Sequence, residues 1–344
     1  MASATGERTA PPGRFVESWY EIAGLPLCAR VAGRELARNL LGAFAHLARP
    51  PAAAAALTLE AWDESLDGPA RPGPDWPPGT RREWPGGGGV LAAAAGGRFV
   101  GVENDHGAAW LDRRESRLRC WVRAADSLTL FETGKPCYFP LSTWLHDRGR
   151  QPVHAALVSW AGAGVLLSGP PGCGKSTCAL ACALDGFDFL GDDHVALEER
   201  GGGAWTGHSL FGGAWLTPGQ LRRFPALAAA ARAGRPPPAD KLLVPMDEVL
   251  PGRLPVGVPI RALALPVLAP DAPAATIFSR VSPAEALRVL AAGAASVVPR
   301  PGATELMRLG RLAAELPAFR LELGQDIAGL SCALRALSSE AGVP

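Results

Sequence analysis

The segment Gly169-Pro170-Pro171-Gly172-Cys173-Gly174-Lys175-Ser176-Thr177 matches G-x-x-x-x-G-K-[ST] and constrains the fold more than any other stretch of the chain. A loop of this kind turns successive backbone N–H groups inward around a polyphosphate. It sends the lysine ammonium to the β- and γ-phosphates and places the next hydroxyl on Mg²⁺. It needs a strand before it and a helix after it, because the helix N-terminus adds its positive end to the anion site. The sequence predicts both: Ala163 to Ser168 is an apolar run of strand length, and Ser176 to Leu184 is a helical run of small and apolar residues. Glycine is abundant (41 of 344 residues), which inflates chance matches, but a mere Gly-Pro turn would not come with this context. Gly169 to Thr177 is therefore read as a nucleotide-binding loop, with ATP and Mg²⁺ as its expected ligands.

With 34 basic and 33 acidic side chains the net charge is +1, so no broad electrostatic footprint points to nucleic acid or an anionic membrane. No apolar stretch reaches the roughly 18 residues of a spanning helix. The seven cysteines are odd in number, form no C-x-x-C pair and follow no signal peptide, a pattern that fits a reducing cytoplasm. Cys178 and Cys182 lie one helical turn apart without a further ligand nearby and read as small buried hydrophobes.

The length and the 48% hydrophobic content suit two α/β units. Residues 1–13 read as a disordered polar tail, 14–149 as a smaller mixed α/β domain of unknown role, and 150–338 as an α/β P-loop core. In the first unit, Phe15 to Ala32 reads as extended, Glu35 to Leu47 as helical, and Leu57 to Ala61, Arg98 to Glu103, Ala108 to Leu111, Leu118 to Val122 and Leu128 to Phe131 as short strands. Leu141 to Arg148 reads as a helix. Gly68 to Gly89 is so rich in Pro and Gly that no regular element is expected there. In the second unit, strands are expected at His154 to Trp160, Gly164 to Leu167, Phe187 to Leu190, His194 to Leu197, Arg261 to Leu268 and Ala274 to Ser279. Helices are expected at Pro283 to Ala292 and Glu305 to Leu316.

Three features around the loop point to phosphoryl transfer. Asp192-Asp193 stands at the end of a predicted strand, and Asp193 lies 18 residues beyond Lys175. One helix and one turn bring that strand end back beside the loop, at the carboxyl edge where α/β sites form. Adjacent carboxylates such as Asp192 and Asp193 can divide between them the work of holding Mg²⁺ and of removing the proton of an attacking hydroxyl. His154, 15 residues before Gly169 at a predicted strand start, could orient the acceptor or share a proton with Asp193. Lys241, after the proline-rich Arg235 to Ala239, is a cation that could close on the transferring group. Each has a bland reading as a turn cap, a structural histidine or a solvated lysine. The other histidines show no metal-binding spacing, and the tryptophans that flank loops, among them Trp76, Trp84, Trp144, Trp160, Trp205 and Trp215, are read as packing.

Taken together, Val153-His154-Ala155, the loop from Gly169 to Ser176, and Gly191-Asp192-Asp193-His194-Val195 resemble the HPr serine kinase/phosphorylase family and its HPr-kinase-like relatives, including the intervals between the three segments. The resemblance covers residues 150 to 200 and faintly 200 to 335. It implies that Lys175 binds phosphate, Ser176 ligates Mg²⁺, Asp193 is the general base toward a serine, and His154 is a catalytic-site partner. Lys241 would stand where the family carries an arginine. The partner implied is a protein or peptide bearing an acceptor serine, as in relatives that modify ribosomal peptides, and a homo-oligomer is expected by analogy. The chain has Thr177 where the family has Glu, and Gly207 to Gly219 lacks the family's acidic Arg-Gly metal segment, so a second metal ligand and a reverse reaction are not implied. Two other readings stay open: a P-loop kinase of a small metabolite, and a non-catalytic switch module that responds to nucleotide.

Overall fold

The computed structural model describes residues 15–64, 81–83, 89–234, 241–268, 274–295, 302–327 and 329–340. Phe15 to Ala32 forms a hairpin of β1 (Phe15–Ile22) and β2 (Leu25–Ala32). Its two-residue turn, Ala23-Gly24, has φ of 50° and 76°, the positive pair that matches the twist of the flanking strands. The sheet continues through β3 (Leu57–Asp63), β4 (Arg81–Glu83), β5 (Val90–Ala94), β6 (Phe99–Asn104), β7 (Gly107–Asp112) and β8 (Arg117–Val122) in the order β1-β2-β3-β8-β7-β6-β5-β4. Helix α1 (Arg34–Leu41) buries Leu36, Ala37, Leu40 and Leu41, the spacing of one helical face.

Two expectations in this unit are corrected. Strand β4 lies inside the Pro/Gly-rich stretch, paired with β5. Leu128 to Phe131 is not a strand: α2 (Leu130–Gly134) starts there, because Thr129 and Glu132 form a capping box that satisfies both N-terminal donors. Helix α3 (Tyr138–Asp147) follows. The tail at 1–13, most of Gly68 to Gly89 with Trp76 and Trp84, and the stretch 235–240 lie outside the described residues.

The second sheet is also mixed. Its strands are β9 (Gln151–Val153), β10 (Ala156–Trp160), β11 (Ala163–Leu167), β12 (Asp188–Gly191), β13 (Val195–Gly201), β14 (Ala204–Ser209), β17 (Gly257–Val267), β18 (Ile277–Arg280) and β19 (Ala318–Glu322), with β15 (Gly213–Leu216) and β16 (Leu242–Pro245) forming a separate ribbon. The main path runs β12-β10-β11-β17-β14-β13-β9, and β19 pairs with β17 in parallel. Helix α4 (Lys175–Leu184) and α9 (Gly329–Glu340) bury small and apolar residues on one face, with α5 (Pro218–Arg223) and α6 (Met246–Val249) beside the ribbon. Helices α7 (Pro283–Ala295) and α8 (Ala303–Glu315) contribute Ala286, Leu290, Leu309 and Leu312 to a core with Leu157, Leu166 and Leu263. The protein is thus α/β, built on two mixed sheets. No helix among the described residues is long and apolar enough to cross a membrane.

The two sheets share packing. Leu210 and Phe211, just after β14, belong to the core of the first unit, where the Phe211 ring stacks on Phe44 at 5.8 Å. Gly212 N–H donates to Ala43 O at 2.8 Å, and His46 Nε2 lies 2.7 Å from Ser209 Oγ. Burial pushes His46 down to about 4. The unfolded chain therefore takes up this proton first as pH falls from 6.5 toward 4, so stability drops across that window by up to about 1.4 kcal/mol per pH unit. Urea unfolding at stepped pH should show a shallower acid loss for His46→Gln than for the natural chain. Equal slopes would mean that His46 charges without cost.

Candidate functional site

Both β11 and β12 pair with β10, and both do so antiparallel. They therefore run in the same direction and end at the same edge. The register puts Leu167 opposite Ala156 and Gly191 opposite Leu157, so the glycine loop and the acid pair leave the sheet on either side of the start of β10. The chain enters that point through His154, which sits in a bend between β9 and β10. It does not begin a strand, as the sequence suggested, because β9 pairs with a different neighbour, β13, through Val153 and Val195. One strand start thus gathers Gly169, His154 and Asp192-Asp193.

The loop has the conformation its glycines require. Gly172 and Gly174 have φ of 81° and 104°. A Cβ on Gly174 would stand 2.3 Å from Leu323 Cδ1, and one on Gly169 would stand 2.6 Å from Cys173 Sγ. Cys173 is buried, and Pro170 O accepts from its N–H. Lys175 Nζ turns back onto the loop, donating to Gly169 O at 2.8 Å and Pro170 O at 3.1 Å. Helix α4 begins at Lys175, which puts the free N–H groups of Ser176 and Thr177 at the same point. Pro171 lies on the exposed side of the turn.

Asp192 is buried beside Ser176. Its Oδ2 accepts from Trp215 N–H at 3.1 Å, while Oδ1 has no hydrogen-bond partner. Burial raises its pKa; the Trp215 N–H, the cations Lys135 and Lys241, and the Ser176 side chain all act to keep it ionised. An orphaned carboxylate oxygen next to a loop hydroxyl fits one Mg²⁺, which takes one or two protein oxygens and completes its shell with phosphates and waters. That shell does not need a cage: among the described residues no three His, Cys, Asp or Glu side chains are grouped for a metal.

Asp193 is the most connected group. Its Oδ1 lies 2.8 Å from His154 Nε2, and its Oδ2 accepts from Lys135 Nζ and lies 3.1 Å from His194 Nδ1. The His154 and His194 rings stack at 5.3 Å. Burial pushes His154 down to about 3, helped by His194, Lys175, Lys135 and Lys241. Because Lys135 already meets the charge of Asp193, a neutral His154 needs only to donate its Nε2–H. Lys241 is exposed at the start of the ribbon, close enough to bear on Asp192, His154, His194, Lys135 and Lys175.

Lys135 and His194 escaped the sequence reading. Lys135 lies 58 residues from Asp193 in the other unit, where no local pattern marks it. A census would have found it. Of 34 basic residues only three are lysines, Lys135, Lys175 and Lys241, and all three bear on Asp192. A chain that uses arginine everywhere else keeps the compact, readily shifted ammonium only here.

A cleft of about 400 Å³ opens on the other flank of the loop, lined by Ser168, Pro170, Leu265, Val267, Val289 and Arg320 among others. It lies away from Asp193.

No family model matches the chain, and no curated protein does. Among solved structures, the Hpr(Ser) kinase/phosphatase from Coxiella burnetii is 12% identical with a TM-score of 0.33, covering 56% of this chain and 93% of that one. That likeness is distant, and no functional weight is placed on it.

Gly174→Ala and Gly162→Ala both place a side chain at positive φ, but nothing lies within 4 Å of a Cβ at Gly162. Denaturant unfolding should show Gly174→Ala to be the costlier by about 1–3 kcal/mol, the usual range for overpacking. Equal losses would show that Leu323 yields freely.

Proposed function

We propose that the protein transfers the γ-phosphoryl group of ATP to a hydroxyl, and that the acceptor is a serine of a protein or peptide. The observation that carries this reading is the meeting of Gly169, Lys175, Ser176, His154, Asp192 and Asp193 around the first residues of β10. Lys175 would leave the loop carbonyls for the β- and γ-phosphates, and the N-terminus of α4 would add its positive end. Ser176 and Asp192 would hold Mg²⁺, which would offset charge on the β- and γ-oxygens. The cleft flanking Gly169 and Pro170 lies within the size range of ligand pockets and leaves room for the nucleoside opposite Asp193.

In the transfer, the acceptor oxygen bonds to the γ-phosphorus, the bond from that phosphorus to the bridging oxygen breaks, and ADP leaves with that electron pair. Asp193 takes the hydroxyl proton. His154, neutral and partly buried, orients the carboxylate by donating to Oδ1. Lys241 stands where a loop cation can meet charge on the transferring group. The acceptor class rests on the resemblance of the spaced motifs to the HPr-kinase-like family.

Incubation with labelled ATP and serine peptides should yield phosphoserine. Asp193→Asn should lower kcat by about 10²–10⁴-fold, the contribution of a positioned base, and leave nucleotide affinity nearly unchanged. Full activity in that variant would contradict the assignment. The engagement of both Asp193 oxygens favours a second reading, a nucleotide-responsive switch, which predicts tight ATP binding without transfer to any acceptor.

A further inference from the structure

The first unit reaches into this site through Lys135, while Tyr138 of α3 packs its ring on His194 at 4.5 Å. The capping box of Thr129 and Glu132 fixes the start of α2, and Lys135 closes the helix by donating its N–H to Phe131 O at 2.8 Å. Gly134 makes the turn fit: a Cβ there would stand 2.5 Å from Trp215 Cζ2 and 3.1 Å from Leu243 Cδ1, so α2 is seated directly on the β15–β16 ribbon. Trp215 is a shared part. Its backbone N–H holds Asp192, while its ring covers the Lys135 ammonium at 5.0 Å, with Phe131 on another side at 5.3 Å. The ammonium is buried and directed onto Asp193 Oδ2.

A lysine so enclosed has lost its hydration and its rotamer freedom, and in return it fixes one carboxylate oxygen. His154 fixes the other. The Asp193 plane is therefore set by two donors from two units.

We propose that Lys135 is a positioning residue for Asp193, so that the transfer site is complete only when the first unit is docked on the second. This rests on the phosphoryl-transfer reading above. Lys135 acts through the carboxylate. It holds Asp193 as an acceptor, with its remaining lone pairs toward the acceptor hydroxyl. The charged and titratable groups facing the pair are Asp192, His154, His194, Lys175 and Lys241.

The test uses the full chain with Lys135→Met and Lys135→Arg. Lys135→Met should lower kcat by about 10²-fold, the low end of what a positioned base contributes, with the nucleotide Kd unchanged within about threefold. Lys135→Arg should recover most of the rate, which a purely structural loss would not do. In the nucleotide-free natural chain, lysine side-chain ¹⁵N resonances should include one that moves in Asp193→Asn and vanishes in Lys135→Met.

Turnover in the natural chain with an unaltered rate in Lys135→Met would overturn this inference alone. No transfer in the natural chain would remove the transfer reading and this inference with it. A lysine resonance indifferent to Asp193→Asn would show that the pair does not form.

Discussion

The antiparallel pairing of two different strands with β10 is the constraint on which the site depends. Strand direction and register are set by backbone hydrogen bonds along β10, so the loop that follows β11 and the acids that follow β12 are delivered to one edge whatever their side chains are. A one-residue slip on either side would turn Asp192 or Gly169 to the other face. The buried residues of β10, Ala156, Leu157 and Val158, hold the register by packing on both faces of the sheet, against α4 on one side and the α7–α8 layer on the other. Gly293 of α7 comes close to the carbonyl of His154 and to Ser168, which braces the same corner from outside.

Within that frame the site is an electrostatic arrangement of two carboxylates, two histidines and three lysines, of which Asp192, Lys135 and Lys175 are buried and Lys241 is exposed. The groups divide by position. Asp192 faces Ser176 and has an oxygen left over; each oxygen of Asp193 has a partner, His154 on Oδ1 and Lys135 on Oδ2. Burial works against charge here, raising Asp192 and lowering Lys135 to about 7, while the opposite charge of each acts against the shift of the other.

Much of this was legible in the chain. The glycine loop, its strand and its helix follow from local pattern, and Asp192-Asp193 follows from the length of helix and strand needed to return to the same edge. The helices from Pro283 and from around Glu305, and the strands near Leu59, Val100 and Trp121, follow from periodicity. What could not be read depends on long-range pairing. His154 looked like a strand start because its neighbours are apolar, but the partner strand changes there from β13 to β10, and the chain must bend. Leu128 to Phe131 looked extended, and the Thr129–Glu132 cap decided otherwise. Lys135 was invisible to motif reading because its partner Asp193 lies in the other unit; the scarcity of lysine was the one signal that could have marked it.

The central claim is that Asp192 and Ser176 share one metal bound to nucleotide. Its most direct test is an equilibrium titration of ATP with and without Mg²⁺, in the natural chain and in Asp192→Asn, followed by calorimetry. The account predicts that Mg²⁺ tightens binding in the natural chain and that this gain disappears in Asp192→Asn, with metal-free affinity retained. An identical Mg²⁺ gain in both chains would contradict it.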